Sequence, residues 1–170
     1  MFYPLKNKYF EPAVIVVIGL WYTGCMSRDF QRRRVYTWCA LYASADCYGM
    51  GSECDYDTCV DLVNRCCSLY GVRSCGVEFS GPKRYSSYHN SSRGTYISLS
   101  PGMRRIDVVV HEVAHHIVAC LYPGASDHGP VFVRVMMCLL TRLCGVHLPF
   151  LYECARYCGV RYAGLSYSAP

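Results

Sequence analysis

No two of the 13 cysteines in this 170-residue chain form a Cys-x-x-Cys pair. A zinc ribbon is built from such pairs, so none is expected. An odd number of cysteines cannot all pair within one chain. Cys39, Cys67, Cys120 and Cys138 recur with the apolar side chains of helical stretches and read as small core hydrophobes. The chain is therefore expected to be reduced and cytoplasmic, with disulfides in the 47–75 region only if it is exported. Long apolar runs are missing too. Ala13–Trp21, behind Lys6 and Lys8, falls short of the roughly 20 residues that span a bilayer. It has the size of a signal-peptide core and equally suits an apolar arm, or an upstream extension if the protein begins at Met26. With no internal repeat and no long linker, the length suits one domain over 27–160 with a tail at 161–170. Glutamate is scarce, and only Glu153 follows Glu112.

Against these absences stands His111-Glu112-Val113-Ala114-His115-His116. Residues four apart on a helix lie about 40° apart around its axis, so His111 and His115 project from one face, one turn apart. Two neutral imidazoles so placed can share one Zn²⁺. Glu112, about 100° round from His111, can hold a water beside the metal without being a ligand. Val109, Val113, Ala114, Ile106, Ile117, Cys120 and Leu121 occupy the opposite arc, which reads as a core face. Val108-Val109-Val110 is strand-like by propensity, so packing has to impose the helix there. Ser100 and Pro101 are read as its N-cap and first position.

A catalytic zinc usually has three protein ligands and an open position. The metzincin pattern needs Gly at 118 and His at 121, where this chain has Val118 and Leu121. A glutamate third ligand would have to be the remote Glu153. The best third ligand is His128, in Asp127-His128-Gly129-Pro130, because a chain turning back after Tyr122-Pro123-Gly124 can carry it over the metal. Gly129 permits close backbone approach, and Pro130 suits the first position of a helix running to Leu143. Asp127 is a substitute ligand. His116 can hydrogen-bond Glu112 or help polarise a substrate carbonyl as an oxyanion donor, or lie half-exposed at the cleft edge. His89 and His147 read as surface residues.

The motif, followed by Asp127-His128-Gly129-Pro130-Val131-Phe132, resembles the SprT-like minimal zincins. It looks most like a family of short zinc metallohydrolases, metallopeptidase-like, of actinobacteria and phages. Members open with Arg-Asp-x-Gln-Arg-x-x-Val-Tyr, matched here by Arg28-Asp29-Phe30-Gln31-Arg32-Arg33-Arg34-Val35-Tyr36. The resemblance covers roughly residues 27–160. It implies a small α+β zincin-like domain with N-terminal helices and a short sheet, then the active-site helix and C-terminal helices. It also implies zinc on His111, His115 and His128, Glu112 as catalytic base, and a cleft-rim strand at 94–99 that pairs with substrate. The expected activity is hydrolysis of a peptide bond by a zinc-activated water, with a tyrosine or His116 as oxyanion donor. The competing class is a non-catalytic, metal-stabilised or DNA-associated binding protein. SprT-type proteases acting on DNA-bound proteins often add a zinc ribbon, which the missing Cys-x-x-Cys pairs argue against here.

Elsewhere the periodicity predicts a helix over about 28–43 capped by Ser27, with Val35, Tyr36, Cys39 and Tyr42 recurring. A second helix starts at Asp55 or Asp57, carries Val60, Val63, Cys67 and Tyr70, and ends at Gly71. Strands are expected at 72–80 and 94–100 with a loop between, a last helix from Pro149 to Cys158, and a loose segment from 159. The net charge of +5 is moderate. Arg28, Arg32, Arg33 and Arg34, with Arg104 and Arg105, form a basic group that can contact nucleic acid or an acidic substrate. A solvated helix face would look the same, and no aromatic-basic motif accompanies it.

Overall fold

The computed structural model describes residues 29–44, 48–81, 86–92 and 94–164. The apolar run and Met26, with Ser27 and Arg28, lie outside these residues, as does the end of the tail from 165. Five helices and one three-stranded sheet make an α+β fold. In chain order they are α1 (Arg32–Ala43), α2 (Tyr56–Tyr70), β1 (Gly76–Phe79), β2 (Ser87–Ser91), β3 (Gly94–Leu99), α3 (Ile106–Leu121), α4 (Pro130–Leu143) and α5 (Leu148–Tyr157).

Helix α3 is the centre of the fold and packs against α2, α4, β2 and β3. Val109, Val110, Val113, Ala114 and Ile117 are fully buried along it. The β-branched run is thus helical because every one of its apolar neighbours is packed, which outweighs a local propensity of a few tenths of a kcal/mol per residue. The opposite arc is not uniformly core. Ile106 and Leu121 are half-buried, and Cys120 is exposed. Cys120, in the last turn of α3, is therefore not a core cysteine. Cys67 is buried, while Cys39 and Cys138 are half-buried; all the described cysteines are free thiols.

The start of α3 differs from the Ser100-Pro101 expectation. Ser100 and Met103 close a turn through Met103 N–H to the Ser100 carbonyl, 2.9 Å, with Gly102 at φ 76. Helix α3 begins only at Ile106, after Arg105 in extended conformation. Helix α2 follows its local signals closely: the Asp55 carboxylate accepts from Thr58 N–H, and Gly71 at φ 63 closes the C-terminus. Pro130 takes the first position of α4, and α5 begins one residue before Pro149.

Helix α1 begins at Arg32, with Gln31 at its N-cap. Its buried stripe is Val35, Trp38 and Tyr42, a phase that seats the large Trp38 and carries its Nε1–H to the Leu151 carbonyl at 3.3 Å. Tyr36, expected in the core stripe, is 46 % exposed. This rotation turns Arg32, Tyr36, Cys39 and Ala40 toward one cavity.

The sheet order is β1-β3-β2, with β1 parallel and β2 antiparallel to β3. Strand β3 is therefore central and has both edges paired, so it is not the rim strand that the resemblance implies. Ile97 and Leu99 on it are fully buried. The expected loop between strands contains β2, a polar strand whose ladder comes from β3 and whose other edge is free among the described residues. The segment from 159 is packed at its start. Val160 is buried, Ala163 N–H reaches the Pro130 carbonyl at 3.0 Å, and Arg161 is held by Gln31 on both its amide and its carbonyl.

Candidate metal centre

Helix α3 brings His111 and His115 onto one face, and the connection to α4 folds back so that His128 meets them. The His111 Nε2 lies 3.2 Å from His115 Nε2 and 3.3 Å from His128 Nε2. Nitrogens bound at about 2.0–2.1 Å to one tetrahedral ion stand about 3.3 Å apart, so the spacing fits a shared cation. The three form the one group of at least three His, Cys, Asp or Glu side chains found converging for a metal among the described residues. Asp127 is exposed and outside this group. Glu153 is exposed and paired with Arg156 at 2.6 Å, which removes it as a ligand.

The protonation chemistry agrees. Burial, with the two neighbouring histidines, holds His111 well below the usual histidine range. Burial and His128 push His115 down to about 3. Both are therefore neutral imidazoles near pH 7, with a lone pair free for a metal. His128 Nδ1 sits 2.6 Å from Asp29 Oδ2, which places the proton on Nδ1 and leaves Nε2 to the shared centre. His111 Nδ1 lies 3.7 Å from the Cys39 sulfur. Burial pushes the Cys39 thiol up to about 12, so that sulfur stays uncharged.

Asp29, Gln31, Tyr36 and Phe132, to which spacing rules give no role at the metal, hold this arrangement. Gln31 is 1 % exposed, and its amide donates to the His128 carbonyl at 2.8 Å and to the Arg161 carbonyl at 2.9 Å. Asp29 and Gln31 thus grip His128 by side chain and backbone from 99 and 97 positions away. The Tyr36 ring stacks on His111 at 5.4 Å between centroids and tilts against His128 at 5.2 Å. Phe132, in the first turn of α4, lies under all three imidazoles at 4.5–5.1 Å. At Gly129 a Cβ would stand 2.2 Å from the Ser126 hydroxyl oxygen, so the turn presenting His128 has no room for a side chain. The opening Arg-Asp-x-Gln-Arg-x-x-Val-Tyr segment was the available signal: its Asp29, Gln31 and Tyr36 touch the site.

Replacing Asp29 with Ala is expected to weaken the affinity of this group for a divalent metal ion about 10–100-fold, the usual cost of losing a carboxylate that orients a ligating histidine. Competition with a chromophoric chelator measures it. Unchanged affinity would show that the Asp29 contact does not orient His128.

Glu112 is 7 % exposed and lines a cavity of about 530 Å³ together with His111 and Tyr36. Burial raises its carboxyl to about 7, opposed by a hydrogen bond from the Tyr88 backbone. A carboxyl titrating there can both take and return a proton near neutral pH. His116 faces elsewhere. Its Nε2 is 2.8 Å from the Arg73 carbonyl and its Nδ1 3.5 Å from the Tyr88 hydroxyl, and it hydrogen-bonds Cys67, which raises its pKa. It ties α3 to the segment after α2, an arrangement that accounts for its 3 % exposure. His89 is half-buried, stacked on Tyr96 at 4.7 Å, and His147 is exposed. Arg105 pairs with Asp107 at 2.6 Å, and Arg104 lies 4.1 Å over the Phe79 ring, so these two act inside the fold rather than as part of a basic face.

Comparison with known proteins returned no match to any protein family, any curated protein or any solved structure. No helix among the described residues is long and apolar enough to cross a membrane.

Proposed function

We propose that this chain is a zinc-dependent metallohydrolase that cleaves peptide bonds, with His111, His115 and His128 as ligands and Glu112 as general base. The observation that carries the reading is the meeting of three imidazole nitrogens at 3.2 and 3.3 Å beside a buried carboxyl raised to about 7. Zinc held there would polarise a carbonyl and bring the pKa of a water down toward about 7. Glu112 accepts the proton of the attacking water and passes it to the leaving amine. Tyr36 takes the oxyanion-donor role rather than His116, whose ring is engaged with Arg73 and Cys67. The Tyr36 phenol lines the same cavity as Glu112, and burial raises its pKa, so it keeps the proton it would donate. The edge of β2 that no described strand pairs with, whose Tyr88 backbone reaches Glu112, replaces β3 as the strand that an extended peptide would join. The ligand and base assignments are those that the resemblance to SprT-like minimal zincins implies.

Three imidazoles with no fourth protein ligand converging on them among the described residues favour an open coordination position over a closed structural site. Metal analysis tests the reading. The purified chain is expected to carry one equivalent of zinc, to lose peptide hydrolysis on chelation and to regain it with added Zn²⁺. His128→Ala is expected to lower the zinc content. Absence of a bound transition metal in the wild-type chain would overturn the proposal.

A further inference from the structure

The cavity beside Glu112 has mostly apolar walls, formed by Cys39, Ala40, Met103 and Val108, and two guanidinium groups, Arg32 and Arg105. Arg105 is neutralised in place: its Nε and a terminal nitrogen bind the two oxygens of Asp107 at 3.0 and 2.6 Å. Arg32 has no carboxylate partner among the described residues. It is exposed at the first position of α1, 5.7 Å over the Tyr36 ring, and close enough for its charge to act on both His111 and His115. One cation with no carboxylate partner among the described residues therefore stands in a mostly apolar cavity that also holds Glu112 and ends at the candidate centre. The cavity on the other side of the histidines is different. It measures about 250 Å³, is lined by Tyr88, His115, Tyr122 and Asp127, and its carboxylate has no cationic partner among the described residues.

We infer that Arg32 is a specificity-determining residue that binds a carboxylate of the substrate on the Glu112 side of the scissile bond. The inference rests on the proposed metallohydrolase reading and names the substrate class for it: peptides with an anionic group next to the cleaved bond. A guanidinium suits this task because its fork binds a carboxylate through two parallel hydrogen bonds. The low-dielectric apolar walls strengthen that pair relative to open solvent. A carboxylate entering the Asp127 side would meet a carboxyl group with no guanidinium lining the cavity beside it, which favours the Arg32 side. The carboxylate can be a free chain terminus or an acidic side chain.

The Co²⁺-substituted full chain allows a test without turnover. Three malonyl hydroxamates serve as probes, carrying alanine as free acid, alaninamide, or aspartic acid amide, and binding is read from the cobalt visible spectrum. At least one acidic probe is expected to bind about tenfold more tightly than alaninamide, the scale of one charge-assisted hydrogen-bonded pair. The acidic probe that gains identifies the source of the carboxylate. Arg32→Met is expected to abolish the difference while leaving alaninamide affinity unchanged, and Arg32→Lys to restore part of it. Equal affinity of all three probes for the wild type, or a preference that survives Arg32→Met, overturns the inference and leaves the metal site standing. Failure to load cobalt or to bind any hydroxamate overturns the metallohydrolase reading and this inference with it.

Discussion

Glu112→Gln is expected to lower peptide hydrolysis by about a hundredfold to ten-thousandfold, the range that a positioned general base contributes, with zinc content unchanged. The substitution is close to isosteric, and the amide oxygen can still accept from the Tyr88 backbone that reaches Glu112. What it removes is the ability to take a proton from water and return it to the amine. The buried carboxyl sits at about 7 in the metal-free chain, and a bound cation nearby lowers it by favouring the charged form. The acid limb of the wild-type rate profile is therefore expected below pH 7, and it vanishes in the residual activity of the variant. Steady-state hydrolysis across pH, with zinc measured on the same samples, decides it. A variant that keeps both its metal and its activity would remove Glu112 from the mechanism.

Stripping zinc is expected to leave a fold that weakens in mild acid. His111 is held well below 6.5 and His115 down to about 3, so in the folded chain both stay neutral while the unfolded chain takes up protons near 6.5. Stability from a depressed histidine is present above the unfolded value and is lost as the pH falls below it, at about 1.4 kcal/mol per pH unit for each group. Glu112 acts in the opposite sense. Its folded value of about 7 exceeds the unfolded 4.5, so the folded chain binds that proton first and regains about 1.4 kcal/mol per unit in the same window. Two histidines against one carboxyl leave, from these three groups, a net loss of about 1.4 kcal/mol per unit, or about 2 kcal/mol between pH 6.5 and 5. For a chain of this length that is about 6 °C in Tm.

Zinc at a thousandfold excess over its Kd adds about 4 kcal/mol near pH 7, roughly 12 °C on the same scale. Calorimetry of the metal-free chain beside His115→Asn isolates the histidine contribution, because the other ionisable groups are common to both. The slope of stability against pH is expected to be shallower in the variant by about one proton. Identical slopes would show that His115 is not buried in its neutral form.

The parts of the fold that were legible in the sequence share a local cause. His111 and His115 face together because helix geometry sets positions four apart side by side. Asp55, Gly71 and Pro130 mark helix ends because each satisfies or tolerates a terminal backbone requirement within a few residues of itself. His128 was legible as well, through the turn before it and the proline after it. Three other features were not. Strand β2, Ser-Tyr-His-Asn-Ser, has almost no apolar alternation and becomes a strand only because β3 offers it an edge. The phase of α1 was decided by seating Trp38 against Leu151, 113 positions away. His116, beside the metal motif, turned to the Arg73 carbonyl across 43 positions.

The sequence by itself therefore determined the chemistry on offer: two histidines and a glutamate on one helical face, a third histidine poised on a loop, and the helix ends that frame them. Only the tertiary structure decided how that chemistry is held. Asp29 on the His128 ring, Gln31 on its backbone, Tyr36 above the imidazoles, Phe132 beneath them and Arg32 in the cavity wall all come from outside the motif helix. Spacing rules describe neighbours along the backbone. These contacts depend instead on which faces of α1, α3 and α4 bury their apolar side chains against one another, and that burial fixes the rotation of each helix and so the direction of its polar residues.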